Sequence, residues 1–374
     1  MKSDVLVIGV EPVSLINFRG HLIQALEQAG QVVTAVSSPL SSEMRHKFEQ
    51  AGIRHQARPF QRNGLNPMAD FKTLFSLRSL FKTERPDLVL AYTIKPVIWG
   101  GLAARLTGTE FYALITGLGF AFQGDGLKRK LLTKLVTALY RLSLSHATKV
   151  VFQNEDNRQE FVQRGIVPAY KTEVVNGSGV DISRFAFTPT PALTPKIKFL
   201  CIARLLGEKG LREYAQAAAL VKAQYRDVEF QLIGPEDTSP DAIAISEVKS
   251  WVATGAIEYL GVTEDVRPFI AQSHVYVLPS YHEGLPRSTV EAMAMGKPVI
   301  TTDAVGCRET VDEGLNGFKV PVGAVQALVE KMVWFIENSA EIQTMGAASR
   351  TLAEEKFDVH KVNARMLEIM ELKQ

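Results

Sequence analysis

The stretch Tyr281–Ile300, YHEGLPRSTVEAMAMGKPVI, decides how the rest of this chain is interpreted. An apolar run at residues 274–278 leads into it through Pro279 and predicts a buried strand. A helix is predicted to follow, with Pro286 just inside its start and Gly296 just past its end, the placement favoured on steric grounds. A strand–loop–helix unit of this kind points backbone N–H groups into a crevice, where they can bind a phosphate.

Two glutamates flank the predicted crevice. Glu283 lies in the loop before the helix, and Glu291 lies about a turn and a half inside it. Carboxylates accept hydrogen bonds from hydroxyl groups, so the stretch predicts a site for a sugar joined to a phosphate. Each glutamate also has a simpler interpretation, in which Glu283 only complements the helix dipole and Glu291 only solvates the helix surface.

Size and composition indicate an ordinary globular protein with about two domains. The chain has 374 residues, of which 46% are hydrophobic and 22% are charged. Its two cysteines, Cys201 and Cys307, provide neither a disulfide framework nor a metal-ligand spacing, which fits a reducing compartment. The first apolar run, residues 5–10, is expected to be a core strand, and no run approaches the ~20 apolar residues of a membrane span.

The small net charge of +2 conceals an asymmetry between the two halves of the chain. Residues 1–190 hold 23 Lys and Arg against 15 Asp and Glu, whereas residues 191–374 hold 19 against 25. A basic half joined to an acidic half suggests that the halves meet different partners. An alternative is a solvated surface without functional consequence.

Strand-like and helix-like segments alternate along both halves, which predicts parallel βα units with helices on both faces of a sheet. Residues 11–20 are expected to form a loop between the first strand and its helix. Residues 187–195, FTPTPALTP, contain three prolines and are expected to be a linker between the halves. The α/β pattern starts again after this segment.

Ligands of open parallel sheets bind beyond the carboxyl ends of the strands, so polar residues at those points are candidates. Arg204 and Lys209 follow the predicted strand at residues 198–202 and are accompanied by Gly207 and Gly210. Arginine could bind a diphosphate through its planar fork and lysine as a mobile point charge. A solvated loop with ordinary charges is the alternative.

Taken together, these motifs resemble those of GT4-family retaining glycosyltransferases. The resemblance is carried by the Glu-x₇-Glu spacing of Glu283 and Glu291 within EGLPRSTVEAMAMGKPV, by Arg204 with Lys209-Gly210, and loosely by the region up to Gly20. It implies the GT-B fold, in which two Rossmann-like α/β domains face each other across a cleft and the C-terminal helix crosses back to the N-terminal domain. The implied domains are an acceptor-binding domain at 1–187 plus about 358–374, and a nucleotide-sugar-binding domain at 188–357.

The resemblance implies roles for individual residues. Glu283 would bind the hydroxyls of the donor sugar and Glu291 those of the ribose, while Arg204 and Lys209 would neutralise the departing diphosphate. Further donor-binding positions are implied at Gly234, Leu260, Gly284, Leu285 and Ser288. No metal or other cofactor is implied, because the cations supply the positive charge and the chain has no Asp-x-Asp motif.

Short motifs in the N-terminal half resemble a narrower group, the bacterial transferases that extend sugars on undecaprenyl diphosphate in O-antigen, capsule or protein-glycan assembly. The motifs are Phe18-Arg19 and the segments at 62–67, 92–96 and 115–119. Some members of this group transfer N-acetylgalactosamine from its UDP form. The acceptor-binding residues implied are Asn17, Arg19, Arg62, Lys95, Thr116 and Gly117.

The expected partners are therefore a UDP-sugar, a polyprenyl-diphosphate saccharide and an anionic membrane surface, with no role for nucleic acid. A basic N-terminal half agrees with the last two partners. The predicted basic helix at residues 127–146 could lie on a membrane surface or be a half-buried core helix with a basic edge. The expected location is cytoplasmic, peripheral on the inner face of the cytoplasmic membrane.

Three other functions are alternatives to this one. A transferase of the same fold could use a soluble or lipid-A-core acceptor, and a non-catalytic module could bind a nucleotide sugar or carbohydrate. A nucleotide-sugar 2-epimerase of related architecture would need acid and base groups around the anomeric carbon, and the EGLPR…E block argues against it.

Overall fold

The structure is a computed structural model that describes residues 4–61, 66–118, 127–191 and 196–372. The chain divides into two compact units. The N-terminal unit holds the residues up to 178 and those from 361 onwards, and the C-terminal unit holds residues 179–360. The prediction that the C-terminal helix crosses back to the N-terminal domain is confirmed by this division.

The N-terminal unit contains a parallel seven-stranded sheet in the order β3-β2-β1-β4-β5-β6-β7. Its central strands are buried along their length and consist almost entirely of apolar residues, as expected of a parallel sheet covered on both faces. The strands are β1 Asp4–Ile8, β2 Val32–Ser37, β3 Arg54–Ala57, β4 Leu88–Tyr92, β5 Glu110–Ile115, β6 Lys149–Phe152 and β7 Thr172–Val174.

Helices cover both faces of this sheet. One core lies under α3 to α6, and a second lies under α1, α2 and the last helix, α13. The helices of the unit are α1 Pro12–Gln28, α2 Ser42–Gln50, α3 Pro67–Glu84, α4 Ile94–Thr107, α5 Leu127–Leu144, α6 Glu155–Gln163 and α13 Val359–Ile369, whose first two residues precede the boundary.

The C-terminal unit contains a parallel six-stranded sheet in the order β10-β9-β8-β11-β12-β13. The buried side chains of its strands and helices form one hydrophobic cluster. Its strands are β8 Ile197–Ile202, β9 Val228–Ile233, β10 Glu258–Tyr259, β11 Val275–Leu278, β12 Val299–Thr302 and β13 Gly317–Val320. Its helices are α7 Leu211–Gln224, α8 Ile245–Ala253, α9 Arg267–Gln272, α10 Arg287–Ala294, α11 Val325–Glu337 and α12 Glu341–Leu352.

Each sheet has one point at which the strand order reverses. In the N-terminal unit this point lies between β1 and β4, and in the C-terminal unit it lies between β8 and β11. Connections on the two sides of such a point leave toward opposite faces, which opens a crevice at the carboxyl ends of the two strands. The loops after these four strands are therefore where the fold itself places a ligand.

The predicted boundary between the domains is wrong by part of a loop. Residues after 178 belong to the C-terminal unit, although the linker was predicted at residues 187–195. Phe185 is buried in the C-terminal core, and the backbone N–H of Thr188 donates to the Met295 carbonyl at 3.3 Å. Proline content predicts an absence of regular structure, and it does not predict whether the segment packs against a neighbour.

The predicted loop at residues 11–20 is also wrong, because helix α1 begins at Pro12 and runs through Gly20. Leu15, Arg19 and Leu22 are buried along one face of that helix. The weak match to a Gly-rich loop after the first strand therefore has no structural basis. Helix α6, which Asn154 caps by accepting from the Asn157 N–H at 2.8 Å, was not predicted.

Candidate functional site

The strongest candidate site lies in the C-terminal unit, at the carboxyl ends of β8 and β11. Arg204 follows β8, and Glu283 lies in the loop that follows β11. The Lys209 ammonium donates to the Glu283 carboxylate at 2.8 Å, although the two residues are 74 positions apart in sequence. The structure thus joins the two predicted motifs directly.

Lys209 is a largely buried cation with acidic neighbours. Only 9% of the residue is exposed, and the Glu208 carboxylate lies 3.5 Å from its ammonium. Burial opposes the charged form, but the negative charges of Glu283 and Glu208 outweigh it, so the pKa of Lys209 is raised above its ordinary value. Lys209 is therefore a fixed positive charge in the neutral pH range.

Arg204 pairs with a different carboxylate. Its guanidinium donates to Asp237, in the loop after β9, at 2.6 Å, and 44% of its side chain is exposed. Burial of Asp237 is outweighed by hydrogen bonds from Ser239 and Arg204, which lower the pKa of Asp237 to about 2. The charge of Arg204 also acts on Lys209 and opposes its positive charge, so the two cations lie in one electrostatic environment.

Backbone contacts hold the loops after β8 and β11 together. The Glu208 carbonyl accepts from the Tyr281 N–H at 2.8 Å and from the Ser280 hydroxyl at 3.1 Å. Gly210 ends the short 3-10 turn that carries Lys209 with φ +68°, and a Cβ there would come within 2.0 Å of the Pro279 carbonyl oxygen. Glycine at 210 thus allows the loop after β8, which carries Lys209, to approach the loop after β11, which carries Glu283.

A third loop, after β12, supports Glu283 from the other side. The Glu283 N–H donates to the Val305 carbonyl at 2.9 Å. Gly306 has φ +80°, and a Cβ there would come within 2.3 Å of the Glu283 carbonyl oxygen. The backbone of Glu283 is therefore fixed by contacts that exclude any side chain at 306.

Helix α10 begins after the loop that carries Glu283, with Pro286 as its N-cap rather than as its first helical residue, and Gly296 follows its end with φ +77°. Glu291 is 9% exposed and accepts from the Arg287 guanidinium at 2.8 Å. Burial outweighs the effect of Arg287, and the pKa of Glu291 is raised above its ordinary value. The Glu291 carboxylate is thus a shielded hydrogen-bond acceptor rather than a solvated surface group.

Ser288 uses its hydroxyl within the protein. The hydroxyl donates to the Ile202 carbonyl at 2.9 Å, and the Tyr276 hydroxyl donates to Ser288 at 2.7 Å. These bonds fasten the start of α10 to the end of β8. Gly284 and Leu285, in the loop before α10, are partly exposed.

The remaining predicted donor residues act through their backbones. Gly234 donates its N–H to the Gly261 carbonyl at 3.0 Å and accepts from the Tyr259 hydroxyl at 2.8 Å. A Cβ at 234 would come within 1.7 Å of the Ala203 carbonyl oxygen, so the loop after β9 lies directly against the loop that carries Arg204. Leu260 is half-buried and donates its N–H to the Leu232 carbonyl.

Two residues of this site were missed in the sequence. Asp237 and Gly306 lie just beyond β9 and β12, and a place just beyond a strand is the signal that also marks Arg204 and Glu283. The same rule, applied to every strand end, would have included them. The sequence also did not predict that each cation is paired with a carboxylate, Lys209 with Glu283 and Arg204 with Asp237.

A second candidate site lies in the N-terminal unit, at the carboxyl ends of β1 and β4. Arg19 is 4% exposed, and its guanidinium carbon lies 5.0 Å from the centre of the Tyr92 ring. The hydroxyls of Tyr92 and Ser14 lie 2.7 Å apart. Burial raises the pKa of Tyr92 to about 12, although the bond to Ser14 and the charge of Arg19 oppose the shift.

Lys95, another of the three predicted acceptor cations, donates to the buried Asp70 carboxylate at 3.0 Å. Between Tyr92 and Lys95, Thr93 has φ +67°, an uncommon and strained conformation for a β-branched residue. Asn17 is exposed on α1, and Thr116 and Gly117 are partly exposed after β5. Arg62 lies outside the described residues.

Two further findings bear on the predicted partners. Within the described residues, no helix is both long enough and apolar enough to cross a membrane. Across the same part of the chain, no group of three or more His, Cys, Asp and Glu side chains is arranged to hold a metal ion. The absence of a cofactor stays a prediction, because an arrangement of side chains does not test it.

Comparison with known proteins matches each of the two units to a glycosyltransferase model. Residues 196–338 match the family model described as Glycosyl transferases group 1, and residues 17–177 match the Glycosyl transferase 4-like domain. The chain is 28% identical over 337 residues to the N,N'-diacetylbacillosaminyl-diphospho-undecaprenol alpha-1,3-N-acetylgalactosaminyltransferase of Campylobacter jejuni, with 87% of each protein covered. It is 24% identical to the UDP-Gal:alpha-D-GlcNAc-diphosphoundecaprenol alpha-1,3-galactosyltransferase of Escherichia coli, over 88% of this chain and 84% of that protein.

Solved structures agree with the predicted fold. Anabaena Alr3699/HepE in complex with UDP-glucose matches over 99% of both chains, with a TM-score of 0.79 and 20% sequence identity. A glycosyltransferase from Rickettsia africae matches over 99% of this chain and 98% of its own, with a TM-score of 0.78 and 20% identity. These likenesses confirm the GT-B fold with its two parallel-sheet α/β domains.

Proposed function

Because the chain belongs to the GT4 glycosyltransferases, we propose that it transfers a sugar from a UDP-sugar to a saccharide carried on a polyprenyl diphosphate, with retention of the anomeric configuration. N-acetylgalactosamine or a related hexose is the proposed sugar. The observation that carries the proposal is the ion pair between Lys209 and Glu283, at the point where the strand order of the C-terminal sheet reverses.

The donor would be bound by the C-terminal unit. Its diphosphate would lie against Lys209 and Arg204, which retain N–H groups beyond those given to Glu283 and Asp237. Glu283 would accept from the sugar hydroxyls, and the shielded carboxylate of Glu291 from the ribose hydroxyls. Gly234 and Leu260 would border the base through backbone, with Gly284 and Leu285 beside the sugar, while Ser288 would position α10.

The chemistry explains why paired cations suit this reaction. As the bond between the anomeric carbon and the UDP oxygen breaks, positive charge develops on the sugar and negative charge on the diphosphate. Lys209 and Arg204 would stabilise the second charge more strongly in the transition state than before it. The acceptor hydroxyl would form the new bond on the same face and give its proton to the departing phosphate, so no carboxylate nucleophile is needed.

The acceptor would be bound by the N-terminal unit. Asn17, Thr116 and Gly117 have exposed surface there, while Arg19 and Lys95 would provide positive charge behind them. The Campylobacter and Escherichia relatives are named for undecaprenyl-diphosphate saccharide acceptors, which supports this acceptor class. With such an acceptor, the enzyme would work on the inner face of the cytoplasmic membrane. Metal and other cofactors have no part in the proposal.

A panel assay tests donor and acceptor together. UDP release is measured with several UDP-sugars against three acceptors: a polyprenyl-diphosphate saccharide, the same saccharide without lipid diphosphate, and buffer alone. Transfer only to the first acceptor supports the proposal, and transfer to the second supports a soluble or lipid-A-core acceptor. Binding of UDP-sugar without turnover on any acceptor would instead indicate a binding module.

Retention is tested on the product. The anomeric configuration of the new linkage is determined by NMR from the H1–H2 coupling and compared with that of the donor. The proposal expects the same configuration. An inverted linkage would contradict the proposal. It would require a general base, and none of the proposed site residues has that role.

A further inference from the structure

The N-terminal unit carries an exposed apolar surface that the proposed donor and acceptor sites do not use. Helices α3, α4 and α5 lie in one layer on the same face of the sheet, with α4 packed between the other two. On the outer side of α3, Met68, Phe71 and Phe75 are 81%, 53% and 60% exposed. We define these three residues as the α3 patch.

A matching row of side chains lies on α5. Leu131 and Leu135 are 71% and 50% exposed and lie one helical turn apart, while Val136 and Tyr140 of the same helix are buried in the core. The helix therefore has a packed face and an outward apolar face. The sequence left open a membrane-surface helix or a half-buried core helix with a basic edge, and the outward leucines favour the first, because a basic edge alone does not account for them.

Charge on this surface has one sign. Lys72 is exposed between Phe71 and Phe75, and Lys130 and Lys134 are exposed beside the α5 leucines. The sequence of α5 contains no acidic residue, and the only acid of α3 before its final residue, Asp70, is buried and paired with Lys95. Exposed apolar side chains interleaved with lysines are typical of helices that lie in the interface of an anionic membrane.

The positions of these residues along their helices place them near the proposed acceptor residues. In a parallel βα unit each helix begins near the carboxyl end of the preceding strand, and the α3 patch and the α5 leucines occupy the first half of their helices. They therefore lie toward the edge of the sheet that carries Arg19, Lys95 and Thr116. A surface at that edge would bring a lipid-linked acceptor close to the proposed acceptor residues.

We propose that the outer face of α3 and α5 docks on an anionic lipid bilayer, with Met68, Phe71, Phe75, Leu131 and Leu135 inserted among the acyl chains and the lysines at the headgroups. A second copy of the chain fits less well, because a two-fold contact would oppose lysines to lysines. The inference deepens the proposed function, since a polyprenyl acceptor resides in a bilayer. Its test does not depend on sugar transfer.

The test is sedimentation of the full chain with vesicles of phosphatidylcholine alone or with phosphatidylglycerol, at low and high salt. Binding is expected to the anionic vesicles and to weaken with salt. The double variant Phe71→Ser/Phe75→Ser should lower the partition coefficient about thirtyfold, because it removes the free energy that each half-exposed ring gains on transfer from water to lipid. Lys72→Gln/Lys134→Gln should lower it about fivefold per charge.

Matched controls lie in the C-terminal unit. Val262→Ser removes an apolar side chain that is 66% exposed, and Lys249→Gln removes an exposed lysine of α8. Both should bind vesicles like the unmodified chain. The proposal is overturned if the phenylalanine variant binds normally, if the controls lose binding equally, or if the chain dimerises without lipid through the α3 patch.

Transfer to a short-chain, water-soluble acceptor separates this proposal from the proposed function. Each surface variant should retain that activity, which also shows that it is folded. If the unmodified chain binds anionic vesicles but transfers no sugar to any acceptor, the proposed function fails while the docking surface stands.

Discussion

Burial and ion pairing act on Lys209 in opposite directions, and pairing prevails. The ammonium is largely withdrawn from water, yet its pKa is raised because Glu283 lies 2.8 Å away. A charge fixed in this way needs little reorganisation when a diphosphate develops negative charge beside it. The same pairing means that Lys209 and Glu283 contribute to stability as well as to the proposed chemistry.

Lys209→Ala is therefore expected to lower kcat by about 10²–10³ and also to lower the melting temperature, because Glu283 loses its partner. The reversed pair Lys209→Glu/Glu283→Lys should recover stability without recovering turnover. UDP release and thermal unfolding measure the two effects. Lys196→Ala, which breaks the pair with Glu229 at the opposite edge of the same sheet, is the control and should leave kcat unchanged. Turnover restored by the reversed pair would show that the ion pair has only a structural role.

Lys297 is a fully buried lysine that the proposed reaction does not use. Its ammonium donates to the Ala271 carbonyl at 3.3 Å, and burial lowers the pKa of Lys297 to about 8. The unfolded chain, with a lysine pKa near 10.5, binds more protons between about pH 8 and 10.5, so stability rises with pH across that window. Below about pH 8 the buried charge costs about 3 kcal/mol.

Lys297→Met is expected to raise the free energy of unfolding by about 2–3 kcal/mol at pH 7 and by much less at pH 10. Urea unfolding at the two pH values measures the difference. The exposed Lys249→Met should change neither value. An unchanged or lower stability of the Lys297 variant at pH 7 would mean that the ammonium has a compensating partner.

At the scale of elements, the C-terminal site is built from loops that follow four strands of one sheet. The loops after β8, β9, β11 and β12 contact one another through backbone, and glycines at 210, 234 and 306 allow those contacts. Helix α10 is fastened to β8 through Ser288. The reacting groups therefore depend on backbone positions as much as on their own side chains.

Gly306→Ala should displace the backbone of Glu283 and lower kcat/KM for the UDP-sugar by tenfold or more, since a Cβ would meet the Glu283 carbonyl. Gly314→Ala is a matched control, because Gly314 has φ +72° and no atom within 4 Å of the added Cβ. Both variants carry similar backbone strain, about 1 kcal/mol or more. Equal losses of activity in the two variants would attribute the effect to strain alone.

At the scale of the whole molecule, the chain completes its N-terminal unit with its last helix. Val362, Met366 and Leu367 of α13 are buried in the core beneath β1 and β4. The core of this unit is therefore completed by residues that follow the C-terminal unit in sequence. Substitutions that remove buried side chains from α13 should therefore lower the stability of the N-terminal unit.

Leu367→Ala is expected to lower the stability of the N-terminal unit by about 2–5 kcal/mol through the cavity it leaves. Hydrogen exchange measured by mass spectrometry should show faster exchange in β1 and β4 and little change in β8 and β11. Met345→Ala, buried in the core of the C-terminal unit, should give the reverse pattern. Faster exchange in both sheets from either variant would indicate that the units unfold together.

Much of the fold and part of the site follow from the sequence alone. Apolar runs and helical periods predicted the alternation of strands and helices in both halves, including the strands at residues 5–10, 198–202 and 274–278, because the burial pattern of each segment is local in sequence. The position of Arg204, Lys209 and Glu283 just beyond strands could be predicted for the same reason. The loop at residues 11–20 was the main local error, since the buried face of α1 continues through Gly20.

Tertiary structure alone decided which residues meet. The order of strands brings the end of β8 beside the end of β11, and only this order pairs Lys209 with Glu283 and leaves Arg204 to Asp237. It also decided that Lys95 is paired with Asp70, and that residues 179–191 pack with the C-terminal unit. Neighbours along the chain determine whether a segment is a strand or a helix, whereas the partner of a charged side chain depends on residues that are distant in sequence, and local patterns do not encode it.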